Sequence, residues 1–253
     1  MIYDLQKASV WKRIAAGIFD LIMLVTLCVG IAFLLSAAFD YDSHNQTFEA
    51  CYDKYEKSYG VDFNISDEAY DALSDEEKLN YDEAYKAFVN DETVLYEYEM
   101  VVNLSILITT LSILISYIAL ELLVPSLFGN GQTLGKKIFG IGVIRTDGVK
   151  LSAFQLFVRT ILGKYTIETM IPVFIVMMLF WGMMDLAGAI VVIALLLTEL
   201  IMITVTSNNS LLHDMLAVTV TVDIGSQMIF ESAEAKLEYQ KKLAAERAEK
   251  QPY

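Results

Sequence analysis

The sequence predicts an all-α polytopic membrane protein with four transmembrane helices, an acidic helical extracytoplasmic insertion and a small cytoplasmic β-hairpin. Two observations predict this fold class. Hydrophobic residues make up 55% of the 253 residues, and several apolar runs reach the roughly 20 residues that span a bilayer. The charge is also uneven, because residues 40–99 carry 18 Asp or Glu and 4 Lys, whereas the rest carries 14 acidic and 14 basic residues. The formal net charge of −14 therefore lies in one segment.

The first element, residues 1–39, is a cytoplasmic N-terminus followed by a transmembrane helix. Its apolar run, Ile14 to Phe39, contains one charged residue, Asp20. A carboxylate at that depth costs roughly 2.5–3.5 kcal/mol unless it faces protein or water. Arg13 lies at the edge of the run, where its side chain is expected to reach outward to the interface. Asp20 therefore needs a cationic or hydrogen-bonding partner from later in the chain. The candidates are side chains of the cytoplasmic elements: Lys136, Lys137, Arg159 and His213.

The second element is the acidic insertion, residues 40–99. Ser74-x-x-Glu77 has the form of a helix-capping box, and residues 64–68 also resemble a helix start. Tyr and Phe follow at spacings of three to four residues. We expect two or three short amphipathic helices rather than a disordered acidic linker, because aromatic residues are too frequent for a disordered chain.

The second transmembrane helix is expected within residues 100–128, with Glu121 one turn before Pro125. Residues 129–164 follow as a basic cytoplasmic hairpin and an interfacial helix, which begins at the capping box Ser152-x-x-Gln155. This helix either lies at the inner interface or continues into the third span. A short strand within residues 138–144 is expected to pair with residues 219–222.

The last elements are a helical hairpin and a cytoplasmic end. Residues 165–206 are too long for one crossing and predict the third and fourth spans, joined by a turn at residues 182–185 with Asp185 in water. Residues 207–225 are a cytoplasmic element containing a Leu-His-Asp motif and a strand, and residues 226–253 are a charged tail helix. The predicted cytoplasmic parts carry 14 Lys or Arg against 4 Lys in the insertion. This split places both ends of the chain in the cytoplasm.

Several short motifs along the chain resemble the RDD family of membrane proteins. They are Arg13, Asp20, the segment Gly-Gln-Thr-Leu-Gly-Lys-Lys at residues 131–137, Arg159, and the motif that ends at Asp214. The family is named for one Arg and two Asp, which the resemblance assigns to Arg13, Asp20 and Asp214. It covers residues 8–39 and 100–223, and the acidic insertion departs from the family pattern. Cation–proton exchange, suggested for some members, is one expectation that the resemblance implies.

The carboxylates inside the predicted spans are the candidate functional residues. Asp20, Glu121 and Glu199 lie at similar depths, roughly 6–10 Å from the cytoplasmic surface at 1.5 Å per residue, and Glu168 is shallower. The predicted ion or proton network comprises Asp20, Glu121, Glu168 and Glu199. Its predicted charge partners are Arg13, Lys136, Lys137, Arg159, His213 and Asp214. Two interpretations stay open: an ionic clamp between helices, or a cation or proton site.

These observations favour a small cation- or proton-coupled transporter of the cell membrane. The alternative is a membrane scaffold whose acidic outer domain binds a protein or an envelope component. An enzyme is not expected, because no constellation of nucleophile, base or metal ligands is visible; no metal or cofactor is expected either. The expected partners are the lipid bilayer, further copies of the chain and an extracytoplasmic protein. Nucleic acid is not expected.

Overall fold

The computed structural model describes residues 4–184, 186–206 and 209–250. Within them, four helical stretches are long and apolar enough to cross a membrane: Val10–Ala38, Glu92–Phe128, Ala153–Phe180 and Leu186–Val205. The fold class is confirmed, since the described chain is mostly helical and contains one small antiparallel sheet. The predicted position of Asp185 lies outside the described residues.

Twelve α-helices and two β-strands lie within the described residues. The helices are α1 (Val10–Ala38), α2 (Tyr41–Tyr59), α3 (Asp67–Asp71), α4 (Asp75–Val89), α5 (Glu92–Tyr117), α6 (Val124–Phe128), α7 (Leu134–Ile138), α8 (Ala153–Phe157), α9 (Ile171–Phe180), α10 (Leu186–Val205), α11 (Leu212–Leu216) and α12 (Ala233–Lys250). The strands are β1 (Ile141–Arg145) and β2 (Thr219–Asp223). Two further stretches, Ile118–Leu123 and Val158–Met170, are π-helical.

The first of two compact units, Val29–Ser112, contains the acidic insertion. The capping box at Ser74 is present and begins α4, and Ser66 caps α3. The aromatic residues that the sequence places on these helices pack together around Phe88, whose ring lies 5.4–5.6 Å from those of Tyr52, Tyr55 and Phe63. This core explains why an acidic segment folds, because Phe88 is buried among partly buried rings while most of the carboxylates stay at the surface.

The second unit, Met1–Cys28 with Ile113–Tyr253, contains the sheet. Strand β1 pairs antiparallel with β2 in a register that joins Ile141 to Asp223 and Arg145 to Thr219. The two strands are far apart in the sequence, so the sheet holds the chain before the third span to the chain after the fourth. Ala8 extends the sheet, since its N–H donates to the carbonyl of Thr221.

The spans of this unit pack against one another through one face, and apolar side chains on their other faces are exposed. Ile113, Tyr117 and Met170 form a buried cluster, against which Leu24 and Val173 pack. Large apolar side chains of α1 and α10 are exposed, which is the arrangement that hydrocarbon contact favours. The capping box at Ser152 begins α8, and the helix runs on without a break into the third span. Of the two alternatives that the sequence allows for this amphipathic segment, the structure shows the one in which it continues into the third span.

Candidate functional site

The polar centre of the second unit is Asp214, whose side chain is fully buried. Its Oδ1 accepts a hydrogen bond from Arg159 Nε at 3.0 Å, and its Oδ2 accepts one from Arg13 Nη2 at 3.0 Å. Arg13 also donates to the carbonyl of Asn209. Burial alone would raise the pKa of Asp214, but the positive charges of Arg159 and Arg13 outweigh it and hold that pKa below its usual range. Three distant segments are therefore joined by one carboxylate.

His213 continues the network towards the third span. Its Nε2 lies 2.9 Å from Arg159 Nη2, and its Nδ1 lies 2.8 Å from Glu168 Oε2. A guanidinium only donates hydrogen bonds, so Nε2 must accept and the proton lies on Nδ1, which donates to Glu168. Burial and the positive charge of Arg159 lower the pKa of His213, in keeping with a neutral ring. The backbone N–H of His213 donates to Glu168 as well, at 2.8 Å.

Asp20, the charge that the first span must accommodate, meets the segment before α7. Its Oδ2 accepts from the Thr133 hydroxyl at 2.5 Å, and its Oδ1 accepts from the Gly135 N–H at 2.7 Å. A methyl group at Gly135 would collide with the carbonyl of Ala16 and lie 3.0 Å from the Asp20 carboxylate carbon. Glycine is therefore the residue that lets α7 approach α1 this closely.

The partners of Asp20 are a hydroxyl and a backbone amide, not one of the four side chains that the sequence suggested. Of those four, Lys136 lies near it and Arg159 and His213 belong to the Asp214 cluster. Lys137 lies apart, with its Nζ 3.7 Å from the centre of the Phe128 ring. Thr133 and Gly135 were missed because hydrogen-bond donors without charge leave no signal in a charge count.

Glu121 and Lys136 form the remaining charged layer. Glu121 Oε2 accepts from Lys164 Nζ at 2.6 Å, a partner that the sequence analysis did not name. The Lys136 side chain is buried, and its Nζ lies 3.3 Å from Thr133 Oγ1. Burial, then the positive charge of Lys164, lowers the pKa of Lys136 to about 7, although Glu121 and Asp20 oppose the shift.

The second π-helical segment, Val158–Met170, explains why Lys164 joins the site. In an α-helix, at 100° per residue, Arg159 and Glu168 would point about 180° apart. Hydrogen bonds from i to i+5 lengthen each turn to roughly 4.4 residues, so nine residues make about two turns. The π-helix thus brings Arg159, Lys164 and Glu168 to one face. Glu121 lies in the other π-helical segment, Ile118–Leu123.

These side chains line a cavity of about 370 Å³. Its walls carry three carboxylates and four basic groups, together with His213 and apolar residues of α1 and α10. The charged members are Arg13, Asp20, Glu121, Lys136, Arg159, Lys164 and Glu168. Glu199 lies behind Glu168, close enough for the two carboxyl groups to interact, and it accepts a long hydrogen bond from the Leu212 N–H at 3.4 Å. The structure therefore brings all four network carboxylates to one region, and leaves out Lys137.

Comparison with known proteins identifies one similarity. The family model described as the RDD family matches residues 7–218, which is most of the chain. No curated protein and no solved structure matches this chain.

We predict that Gly135→Ala destabilises the protein, because the added methyl group forces α7 away from α1. Overpacking of this kind typically costs about 1–3 kcal/mol, and here it also disturbs both hydrogen bonds to Asp20. Thermal unfolding in detergent measures the effect. Gly17→Ala is the matched control, since a methyl group there meets nothing within 4 Å. Equal melting temperatures for the two variants would contradict the close approach.

We also predict a pH dependence that comes from Lys136. Between about pH 7 and its ordinary pKa of 10.5, the side chain binds more protons in the unfolded chain than in the folded one. Its contribution to the free energy of unfolding therefore rises with pH across this window. The stability of the wild type relative to Lys136→Met should rise from about pH 7 to about pH 10.

Denaturant unfolding at several pH values measures this difference. Lys137→Met is the control, because Lys137 is exposed and its removal should leave the difference nearly constant. A difference from Lys136→Met that does not change with pH would show that Lys136 keeps an ordinary pKa.

Proposed function

Because the chain belongs to the RDD family of membrane proteins, we propose, from the geometry of its cavity, that it is a small proton- or cation-coupled transporter. The observation that carries this proposal is that Glu168, which lines the cavity, lies close enough to Glu199 for the two carboxyl groups to interact. Two ionised carboxylates offer only hydrogen-bond acceptors, so this interaction is favourable when one of them holds a proton. A carboxyl pair beside a cavity within a membrane is suited to accepting and releasing a proton.

The proton is the better candidate for the coupling ion because the other cavity carboxylates already have donors. Asp20 is bound by Thr133 and Gly135, and Glu121 is bound by Lys164. A metal cation would have to displace these donors before it could bind. A proton at the Glu168–Glu199 pair requires no such displacement, because it can lie on Glu199 while the backbone N–H and the Nδ1–H of His213 continue to donate to Glu168.

The Asp214 cluster has a different role in this proposal. Its carboxylate is enclosed by Arg13 and Arg159, and an ion pair so buried is suited to holding segments together. The two interpretations of the charged residues then apply to different groups: a clamp at Asp214, and a proton site at Glu168 and Glu199. Four spans are few for a pathway through one chain, so we propose that transport requires further copies of it.

The second candidate function is a membrane scaffold that transports nothing and catalyses no reaction. It is favoured by the self-contained packing of the unit Val29–Ser112, which has an aromatic core of its own around Phe88. In this reading the acidic surface binds a protein or an envelope component, and the buried charges only clamp the helices.

Proton flux distinguishes the two candidates. In sealed liposomes with an internal pH-sensitive dye, the wild-type protein should dissipate an imposed pH gradient faster than protein-free liposomes do. Glu199→Gln should slow this flux at least about tenfold, since a positioned proton-transfer group typically contributes roughly 10²–10⁴-fold.

Asp223→Asn is the matched control for Glu199→Gln. It removes a carboxylate that pairs with Lys12 at 2.6 Å in a partly exposed ion pair away from the cavity, so the flux should stay near the wild-type rate. If the wild-type protein conducts no better than empty liposomes at any gradient or added cation, transport is wrong and the scaffold is favoured.

The orientation of the protein is part of the same proposal. The excess of Lys and Arg supports a cytoplasmic location for both ends and for the sheet. In a variant whose native cysteines are replaced, an impermeant thiol reagent added to whole cells should label Ser58→Cys and spare Thr146→Cys. Permeabilised cells are the control, since both sites should then react. The reverse labelling pattern would contradict the orientation.

A further inference from the structure

Lys136 is the cavity cation whose hydrogen-bonding capacity is least used. Its side chain is more than nine-tenths buried and lines the cavity. An ammonium group has three donors, and the described contact of its Nζ is a long one, 3.3 Å to Thr133 Oγ1. None of the ion pairs within the described residues includes Lys136. A buried ammonium without a carboxylate contact is costly, so a ligand that supplies acceptors would be favoured.

The other charged groups of the cavity each have a close partner. Arg13 and Arg159 share Asp214, and Lys164 binds Glu121. Glu168 is bound by His213, and Asp20 by Thr133 and Gly135. What remains is one ammonium group with open donors. The chemistry that matches it is an oxyanion, and lysine is a common point-charge ligand of phosphate.

Apolar residues of the membrane spans also line the cavity. Ile14, Gly17 and Leu21 line it from α1, and their exposed surfaces belong to a membrane span. Ile203 lines it from α10. A methyl group on Gly17 would meet nothing within 4 Å, so there is open space at this position. The cavity lining thus combines a buried ammonium group with exposed apolar residues of a membrane span, a combination that suits the phosphate and the hydrocarbon part of a phospholipid.

We propose that Lys136 binds the phosphate group of an anionic membrane phospholipid, whose glycerol and first acyl carbons pass between α1 and α10 beside Gly17. This site does not depend on the proposed transport, because a structural lipid and a transported one would bind in the same way. The phosphate supplies the acceptors that Lys136 lacks, and the acyl chain stays in the bilayer.

The charged surroundings of Lys136 agree with such a ligand. Burial and the positive charges of Lys164 and Arg159 lower its pKa, while Glu121 and Asp20 raise it by a smaller amount. A bound phosphate adds a negative charge beside Lys136, which raises the pKa of the ammonium group as Glu121 and Asp20 do. The ammonium form is then stabilised, and a proton is taken up when the lipid binds near neutral pH.

Lipid retention by the purified full-length protein tests the proposal. The protein in neutral detergent is titrated with phosphatidylglycerol, phosphatidylcholine or inorganic phosphate, and bound lipid is counted by native mass spectrometry alongside the melting temperature. Phosphatidylglycerol should bind and raise the melting temperature. Lys136→Met should weaken its binding about tenfold, the usual effect of losing one charge-assisted hydrogen bond. Lys137→Met, its exposed neighbour, should bind as the wild type does.

A second variant tests the lipid entrance without touching the charge. A Cβ atom added at Gly17 meets nothing within 4 Å, so we expect Gly17→Phe to fold and, because its ring fills the entrance, to lose the retained phosphatidylglycerol. Equal binding of phosphatidylcholine, or unchanged binding by Lys136→Met, overturns the proposal. If inorganic phosphate raises the melting temperature as much as phosphatidylglycerol does, the phosphate bound by Lys136 does not come from a lipid, and the proposal is overturned. Because no flux is measured, these outcomes are independent of the transport assay.

Discussion

The carboxylate of Asp214 is enclosed by two guanidinium groups, and the arrangement of the second unit depends on this contact. Arg13 begins the first span, Arg159 lies in the π-helical part of the third, and Asp214 follows the fourth. Removing one partner of such a buried pair typically costs roughly 3–5 kcal/mol, because the other charge is left uncompensated. The cost of burying these charges is thus offset only when all three segments are in place.

The same requirement shapes the rest of the site. A span that contains a charge must present it to protein, and each cavity carboxylate does so with a donor from another segment. The donors differ in kind: a hydroxyl and a backbone amide for Asp20, an ammonium for Glu121 and an imidazole for Glu168. The π-helical backbone makes this matching geometrically feasible, since it turns Lys164 and Glu168 to the same side as Arg159.

The network is uneven in how fully its charges are matched. Asp214 has two guanidinium partners, whereas Lys136 has one long contact among the described residues and Glu199 lies close to another carboxyl group. Fully matched groups favour a fixed structure, and partly matched groups favour exchange of protons or ligands. The two proposals concern the partly matched groups at different places in the cavity, a proton at Glu168 and Glu199 and a phosphate at Lys136.

The sequence alone determined the four spans, the separate acidic segment and the helix caps at Ser74 and Ser152. These features are local, since apolar length, charge composition and capping spacings act within a few turns of the chain. The importance of Arg13 and Asp20 was also visible, because a charge inside or beside an apolar run is costly wherever the chain folds. Asp214 was indicated by the family resemblance of its motif.

Which groups meet was decided only by the tertiary structure. Glu121 meets Lys164 across 43 residues, and Asp20 meets the Gly135 amide across 115. A backbone amide is present at every residue, so no sequence pattern distinguishes the one that Asp20 binds. The π-helical turn adds a second obstacle, because helical periodicity read at 3.6 residues per turn places Arg159 and Glu168 on opposite faces. The third span also packs closely against α11 at Gly163, where a methyl group would collide with His213. This close packing brings Arg159 and Glu168 into contact with His213.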